Sequence, residues 1–282
     1  MTADPGRGPQ YRHDGLVFDV RDEGPADGEP VVLLHGFPQD SGSWHRVAPL
    51  LHAAGLRTLA PDQRGYSPGA RPRGRRSYRM PLLVADVLAL LDDRGLQRAH
   101  VVGHDWGGAV GWGLAGGHPH RVSTLTVLST PHPSAMIAAM TSSTQPLASW
   151  YMAAFQLPVL PEAVVGRSMA RSLHRSGLPR EDAERYERRM SEPGALTGAL
   201  AWYRALPFSA GPLSAGGSIP SSRVPTTYAW GRRDFALKRR AAELTARYVE
   251  GPYRFEVLEA GHWLPERRPS EVADLVLDRV RG

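Results

Sequence analysis

The chain of 282 residues is 41% hydrophobic and 22% charged, with a formal net charge of +6 and a mean hydropathy of −0.33, which suits one large α/β domain carrying an insertion and excludes a disordered or fibrous protein. The absence of cysteine excludes disulfides, thiolate metal sites and a cysteine nucleophile. Of the 34 basic residues only Lys238 is lysine and there is no asparagine, so the charge reads as an arginine bias rather than a nucleic-acid surface, and the densest cluster, Arg71 to Arg76, has no aromatic residue interleaved with it.

The first residues are polar and nowhere do 18 apolar residues run together, so no membrane span and a cytoplasmic location are expected. Strands are expected at 16–20 and 31–34, the second ending in His35-Gly36-Phe37-Pro38. A strand at 58–60 runs into Pro61-Asp62. A helix over 81–94 has a proline in its first turn and stops at Gly95. The next strand, 99–102, meets Gly103-His104-Asp105-Trp106-Gly107-Gly108 and leads into a helix over 109–115, and a further strand follows at 122–128. From about 131 to 223 there are helical patterns without a convincing strand, including aromatic-rich segments at 147–155 and 195–205. The Ser/Gly/Pro-rich stretch 209–222 reads as a return linker. Strands at 226–230 and 253–258 and helices at 238–249 and 269–281 complete the chain.

This alternation predicts an α/β fold, a mostly parallel sheet with helices on both faces. Residues 1–130 and 224–282 form its core and 131–223 a helical lid over the carboxyl edge of the sheet, where open α/β sheets hold ligands.

The sharpest chemical signal is Asp105. Small residues flank it two positions away on either side between a strand and a helix, the pattern of a nucleophile elbow in which the usual serine is replaced by aspartate. A helix N-cap would not require those glycines. A carboxylate that attacks saturated carbon leaves an ester that water can clear, whereas serine would leave an ether. The substrate class is therefore an epoxide or an alkyl halide. Clearing the ester needs a base and a group to orient it. His262 follows the last strand, Asp234 follows the one before, and the order Asp105, Asp234, His262 suits nucleophile, acid and base. The turn at Phe37 and the residue after the nucleophile, Trp106, offer backbone N–H groups to an oxyanion.

These motifs, with Asp62-Gln63-Arg64-Gly65-Tyr66 and Gly261-His262-Trp263, resemble the epoxide hydrolases of the α/β-hydrolase family over about residues 31–268. The resemblance extends to two lid segments, Trp150-Tyr151 through Phe155 and Ala201-Trp202-Tyr203-Arg204. It implies that Tyr151 and Tyr203 hydrogen-bond the epoxide oxygen as the ring opens, in a pocket that includes Trp106, Phe155, Trp150 and Trp263. It also implies a reaction without metal or cofactor, and the Leu, Met, Trp and Phe of the lid suit a small apolar or aromatic epoxide.

Within the same fold a haloalkane or haloacid dehalogenase is the alternative, with Trp106 and either Trp150 or Trp202 as halide donors. The paired tyrosines favour the epoxide. A non-catalytic binding protein fits poorly with an intact Asp, Asp and His. A dinucleotide-binding reading of Gly111-Trp112-Gly113-Leu114-Ala115-Gly116 is weak, because it lies past the strand end and lacks the acidic residue about 20 positions on. Those glycines are expected to allow close helix packing.

Overall fold

The computed structural model describes residues 9–209 and 219–282, so most of the expected return linker lies outside the described residues. Eight strands form one sheet in the order β1-β2-β4-β3-β5-β6-β7-β8. The hairpin of β1 (Gln10–His13) and β2 (Leu16–Glu23) turns at Asp14 and Gly15, both with positive φ. Strand β1 is not among the expected strands, although Asp-Gly between alternating residues is a strong hairpin signal. Strand β2 runs antiparallel to β4 (Leu56–Pro61). From there β3 (Glu29–Leu34), β5 (Ala99–His104), β6 (Val122–Leu128), β7 (Thr226–Gly231) and β8 (Tyr253–Leu258) pair in parallel.

Parallel pairing demands crossovers, and helices supply them. These are α1 (Ala48–Ala53), α2 (Met80–Asp93) and α3 (Trp106–Gly117), then the long excursion between β6 and β7, then α10 (Arg239–Leu244). The excursion comprises α4 (Pro133–Ser142), α5 (Gln145–Ala148), α6 (Trp150–Ala154), α7 (Leu160–Arg175), α8 (Arg180–Met190) and α9 (Ala195–Ala205), with no strand among the described residues. Helices α11 (Leu264–Arg267) and α12 (Pro269–Arg281) follow β8. Both faces of the sheet are covered, so the central strands are apolar on both sides. Val32, Leu34, Val101 and Val127 pack with Leu83, Val87, Leu90 and Val110 of α2 and α3, while Val31, Leu33, Val102 and Leu128 pack with Leu51, Val272 and Val276 of α1 and α12.

The expected helix at 147–155 is two short ones, α5 and α6, broken at Ser149, where the Gln145 amide donates to Ser149 Oγ at 2.9 Å and to the Ala236 carbonyl at 2.8 Å. The expected helix at 238–249 ends at Leu244 and tightens into a 3₁₀ turn, Thr245–Tyr248. There the Thr245 hydroxyl bonds back to the Ala241 carbonyl and also accepts the His132 N–H. The glycines of α3 serve packing, since a methyl on Gly113 would lie 2.9 Å from Val84 Cγ2 and one on Gly111 3.0 Å from Leu125 Cδ1.

Helices α8 and α9 are fastened to the loops at the carboxyl edge. Trp202, buried, donates its indole N–H to the Arg64 carbonyl at 2.7 Å. A methyl on Gly198 would stand 2.7 Å from the Gly65 carbonyl oxygen, so backbone meets backbone there. Ion pairs join Arg46 to Asp182, Arg185 to Asp40, Arg189 to Asp62 and Arg71 to Glu192. The Arg71–Arg76 loop does have an aromatic partner, contrary to its sequence neighbourhood. Phe208, 132 positions beyond Arg76 in the chain, lies under the Arg75 and Arg76 guanidinium groups at 4.8 and 5.0 Å.

Under this junction Arg64 and Asp86 form a bidentate pair at 2.7 and 2.6 Å, both side chains almost wholly buried. Breaking such a pair strands a charge in the interior. Asp86→Ala is expected to lower the unfolding free energy by about 3–5 kcal/mol, read as a reduced urea midpoint. In Arg64→Met/Asp86→Leu the loss should be smaller than in Asp86→Ala alone.

Candidate active site

Because β3, β5, β7 and β8 run in parallel, the loops that leave their carboxyl ends converge on one edge of the sheet. These loops carry Phe37, Asp105, Asp234 and His262 respectively. Strand β5 extends to His104, two residues beyond its expected end, so Asp105 is the first residue past the sheet.

Asp105 has φ +49° and ψ −121°, a conformation that costs a non-glycine residue about 1–3 kcal/mol. The surroundings hold it there. Its N–H donates to the Leu128 carbonyl, its own carbonyl accepts the Thr130 hydroxyl at 2.7 Å, and a methyl on Gly36 would lie 2.3 Å from its Cβ. Although Asp105 occupies the N-cap position of α3, its carboxylate makes no capping bond. Oδ1 instead accepts the Phe37 N–H at 2.9 Å, and Oδ2 lies 3.7 Å from His262 Nε2. The Trp106 amide opens α3, among the N–H groups that have no partner inside a helix.

His262 is buried, with Nδ1 2.8 Å from Asp234 Oδ2. The other oxygen of Asp234 accepts the Ala236 and Leu237 N–H groups at 2.8 and 3.0 Å, which fixes the carboxylate plane. Burial alone would make His262 a weaker base. The facing carboxylates of Asp234, Asp105 and Glu266 outweigh it and push its pKa up to about 9. At neutral pH the site therefore holds an imidazolium between Asp234 and Asp105.

Tyr151 on α6 and Tyr203 on α9 stand across from Asp105, their rings 6.0 Å apart. Burial and the Asp105 charge raise both phenol pKa values, so both hydroxyls keep their protons. Tyr203 is wedged edge-on by Trp106 at 5.0 Å, Phe155 at 5.0 Å and Phe37 at 5.5 Å. Asp105, Tyr151 and Tyr203 line two cavities at once. One, of about 750 Å³, extends past Phe155, Trp150, Trp263 and His262. The other, of about 600 Å³, extends past Trp106, Met80, Ile137 and Met140. Every residue expected at the site is thus found at one of these walls or in the Asp105–His262–Asp234 chain. Trp202 is not, because its indole N–H is committed to Arg64.

Four residues that carry the arrangement were not singled out from the sequence. Gln39 accepts the Gly36 N–H and donates to Glu266 at 2.7 Å, and Tyr186 of α8 donates to the same Glu266 oxygen at 2.7 Å. His104, fully buried, spans from the Gln39 amide oxygen to the His262 carbonyl. Gln39 and His104 adjoin the two motifs, and Glu266 lies four residues past His262. Only the sequence neighbourhood marked them, since their mutual contacts span up to 227 positions.

The description alpha/beta hydrolase fold matches residues 29–269. The AB hydrolase superfamily protein YfhM of Bacillus subtilis is 37% identical over 95% of this chain and 96% of its own length. Epoxide hydrolase A of Mycobacterium tuberculosis is 33% identical over 95% of both chains. The crystal structure of Epoxide Hydrolase A from Mycobacterium thermoresistibile superposes with a TM-score of 0.86 at 29% identity, covering 97% of this chain and 98% of that one. With the family matched across most of its length and relatives of this similarity along nearly all of it, the chain belongs to the α/β-hydrolase fold family.

Proposed function

We propose that the protein is an epoxide hydrolase that opens its substrate through a covalent ester on Asp105 and releases a vicinal diol. The observation that carries the proposal is that one carboxylate and two proton-holding phenols share both cavities, a nucleophile facing paired donors for the oxygen that must leave. The relatives named epoxide hydrolase support it. Residues 131–223 serve as the lid that supplies the phenols.

An Asp105 oxygen attacks one ring carbon, and the breaking carbon–oxygen bond delivers its electron pair to the ring oxygen. Tyr151 and Tyr203 stabilise the developing alkoxide, which is protonated to the hydroxyl. Ester formation removes the negative charge of Asp105, one of the charges that hold the proton on His262. His262 then becomes the stronger proton donor and refills the phenol, leaving a neutral imidazole oriented by Asp234. This imidazole takes a proton from water as the oxygen attacks Asp105 Cγ. The Phe37 and Trp106 N–H groups stabilise the tetrahedral oxyanion. Its collapse expels the diol oxygen, which is protonated from His262, and the proton left on the Asp105 carboxyl passes to His262, restoring the imidazolium and a carboxylate that retains one oxygen from water. The dehalogenase alternative loses Trp202 as a halide donor, because that N–H already serves Arg64.

Single turnover in heavy-oxygen water should put the label in Asp105 and not in the first diol; direct labelling of the diol would rule out the ester. His262→Ala should accumulate the ester as an epoxide-sized mass increase on the protein. Tyr151→Phe and Tyr203→Phe should each lower kcat by about 10²-fold, while release of halide from chloroalkanes without diol from epoxides would favour the dehalogenase. The raised pKa of His262 also makes a stability prediction. Below the unfolded value of about 6.5 its stabilisation is complete, and it is lost as pH rises through about 9. Urea unfolding at pH 6 and pH 10 should therefore show a drop in the wild type that exceeds the drop in His262→Gln by of order 3 kcal/mol.

A further inference from the structure

The two cavities that meet at Asp105 differ in charge. Around the smaller one, among the described residues, Asp105 is the only charged wall residue, and Met80, Val84, Ile137 and Leu206 make it apolar. The larger one has, besides Asp105 and His262 of the reaction centre, one further charged residue in its wall, Lys238.

Lys238 stands out against its own chain. It is the single lysine among 34 basic residues. Among the described residues its ammonium has no carboxylate within 4.0 Å, whereas the neighbouring Arg239 is paired with Glu243 at 2.7 Å. Its backbone is pinned, because its N–H donates to Gln145 Oε1 at 2.9 Å and it caps α10, four residues past Asp234. A half-buried cation beside an apolar wall, with no carboxylate paired to it among the described residues, is suited to an anion brought by the ligand. One ammonium on a flexible stem matches one carboxylate, and Thr144 and Ser172 of the same cavity add hydroxyl donors.

Resting on the reading of the site as an epoxide hydrolase, we propose that the substrate is an epoxide substituted on both ring carbons, with an apolar arm in the smaller cavity and an arm ending in a carboxylate in the larger one, read by Lys238. Lys238 thereby sets which arm enters which cavity. It is a specificity residue and takes no part in bond breaking.

The test compares kcat/KM for a two-armed epoxide ending in a carboxylate with that for its methyl ester, in wild type, Lys238→Met and Lys238→Glu. The acid-to-ester ratio is internal to each variant, so a change in the amount of folded enzyme cancels. The wild type should favour the acid about tenfold, with the preference shrinking as salt is raised. Lys238→Met should bring the ratio near one and Lys238→Glu should invert it. A ratio unmoved by both substitutions, with diol still formed, would overturn the role of Lys238 and leave the epoxide reaction standing. Equal kcat/KM for the same acid without its apolar arm would overturn the two-cavity binding mode. No diol from any epoxide would overturn the reaction reading and this inference with it.

Discussion

The rest of the site depends on the forced backbone of Asp105. Its φ of +49° turns the carboxylate out of the sheet toward the Phe37 N–H and His262. A free chain would relax from that conformation, so the contacts around it must over-determine it. They come from three directions: the end of β6 and the residues just after it through Leu128 and Thr130, the loop after β3 through Gly36, and α3, which begins at once and cannot rotate without leaving its packing on β3, β5 and β6. The parallel sheet is what brings those directions to a single point. The strain and the placing of the carboxylate are therefore one feature.

A second layer of polar contacts ties the loops at that edge to one another and to the lid. Glu266 receives Gln39 from the loop after β3 and Tyr186 from α8, and His104 links Gln39 to the carbonyl of His262. Trp263 donates to Ser176 at the end of α7. Tyr186 thus connects α8 to His262 through Glu266, Gln39 and His104. The arginine-rich composition finds its use here. Arg46, Arg71, Arg185 and Arg189 pair with carboxylates between the excursion after β6 and the loops of the sheet edge, so these four cross-link the two.

The electrostatics of the centre are organised around a single proton. Burial disfavours an imidazolium at His262, and the charges of Asp234, Asp105 and Glu266, Asp234 foremost, favour it and prevail. In the proposed reaction, an ester on Asp105 would remove one of these charges at the moment when a base is needed. The two phenols face the opposite condition, since burial and the Asp105 charge both disfavour phenolate. The same negative charge therefore keeps the base protonated and the donors protonated before reaction.

Much of this was legible in the sequence because it rests on local rules. Strand β6, helices α9 and α12 and the elbow are written in short-range patterns of β-branched runs, small residues and helix punctuation, and the order Asp105, Asp234, His262 follows from which loop each one occupies. The sequence also determined the chemistry open to Asp105, since a carboxylate and a serine leave different bonds behind. What only the tertiary structure decided depends on contacts between distant residues. It fixed the partner of Trp202, the stacking of Phe208 under Arg75 and Arg76, the meeting of Gln39 with Glu266 and the division of the pocket into two cavities. Spacing along a chain records which face of an element a residue occupies, but not which other face it will be pressed against; that is settled by how the sheet orders its strands and how the excursion after β6 folds back over them.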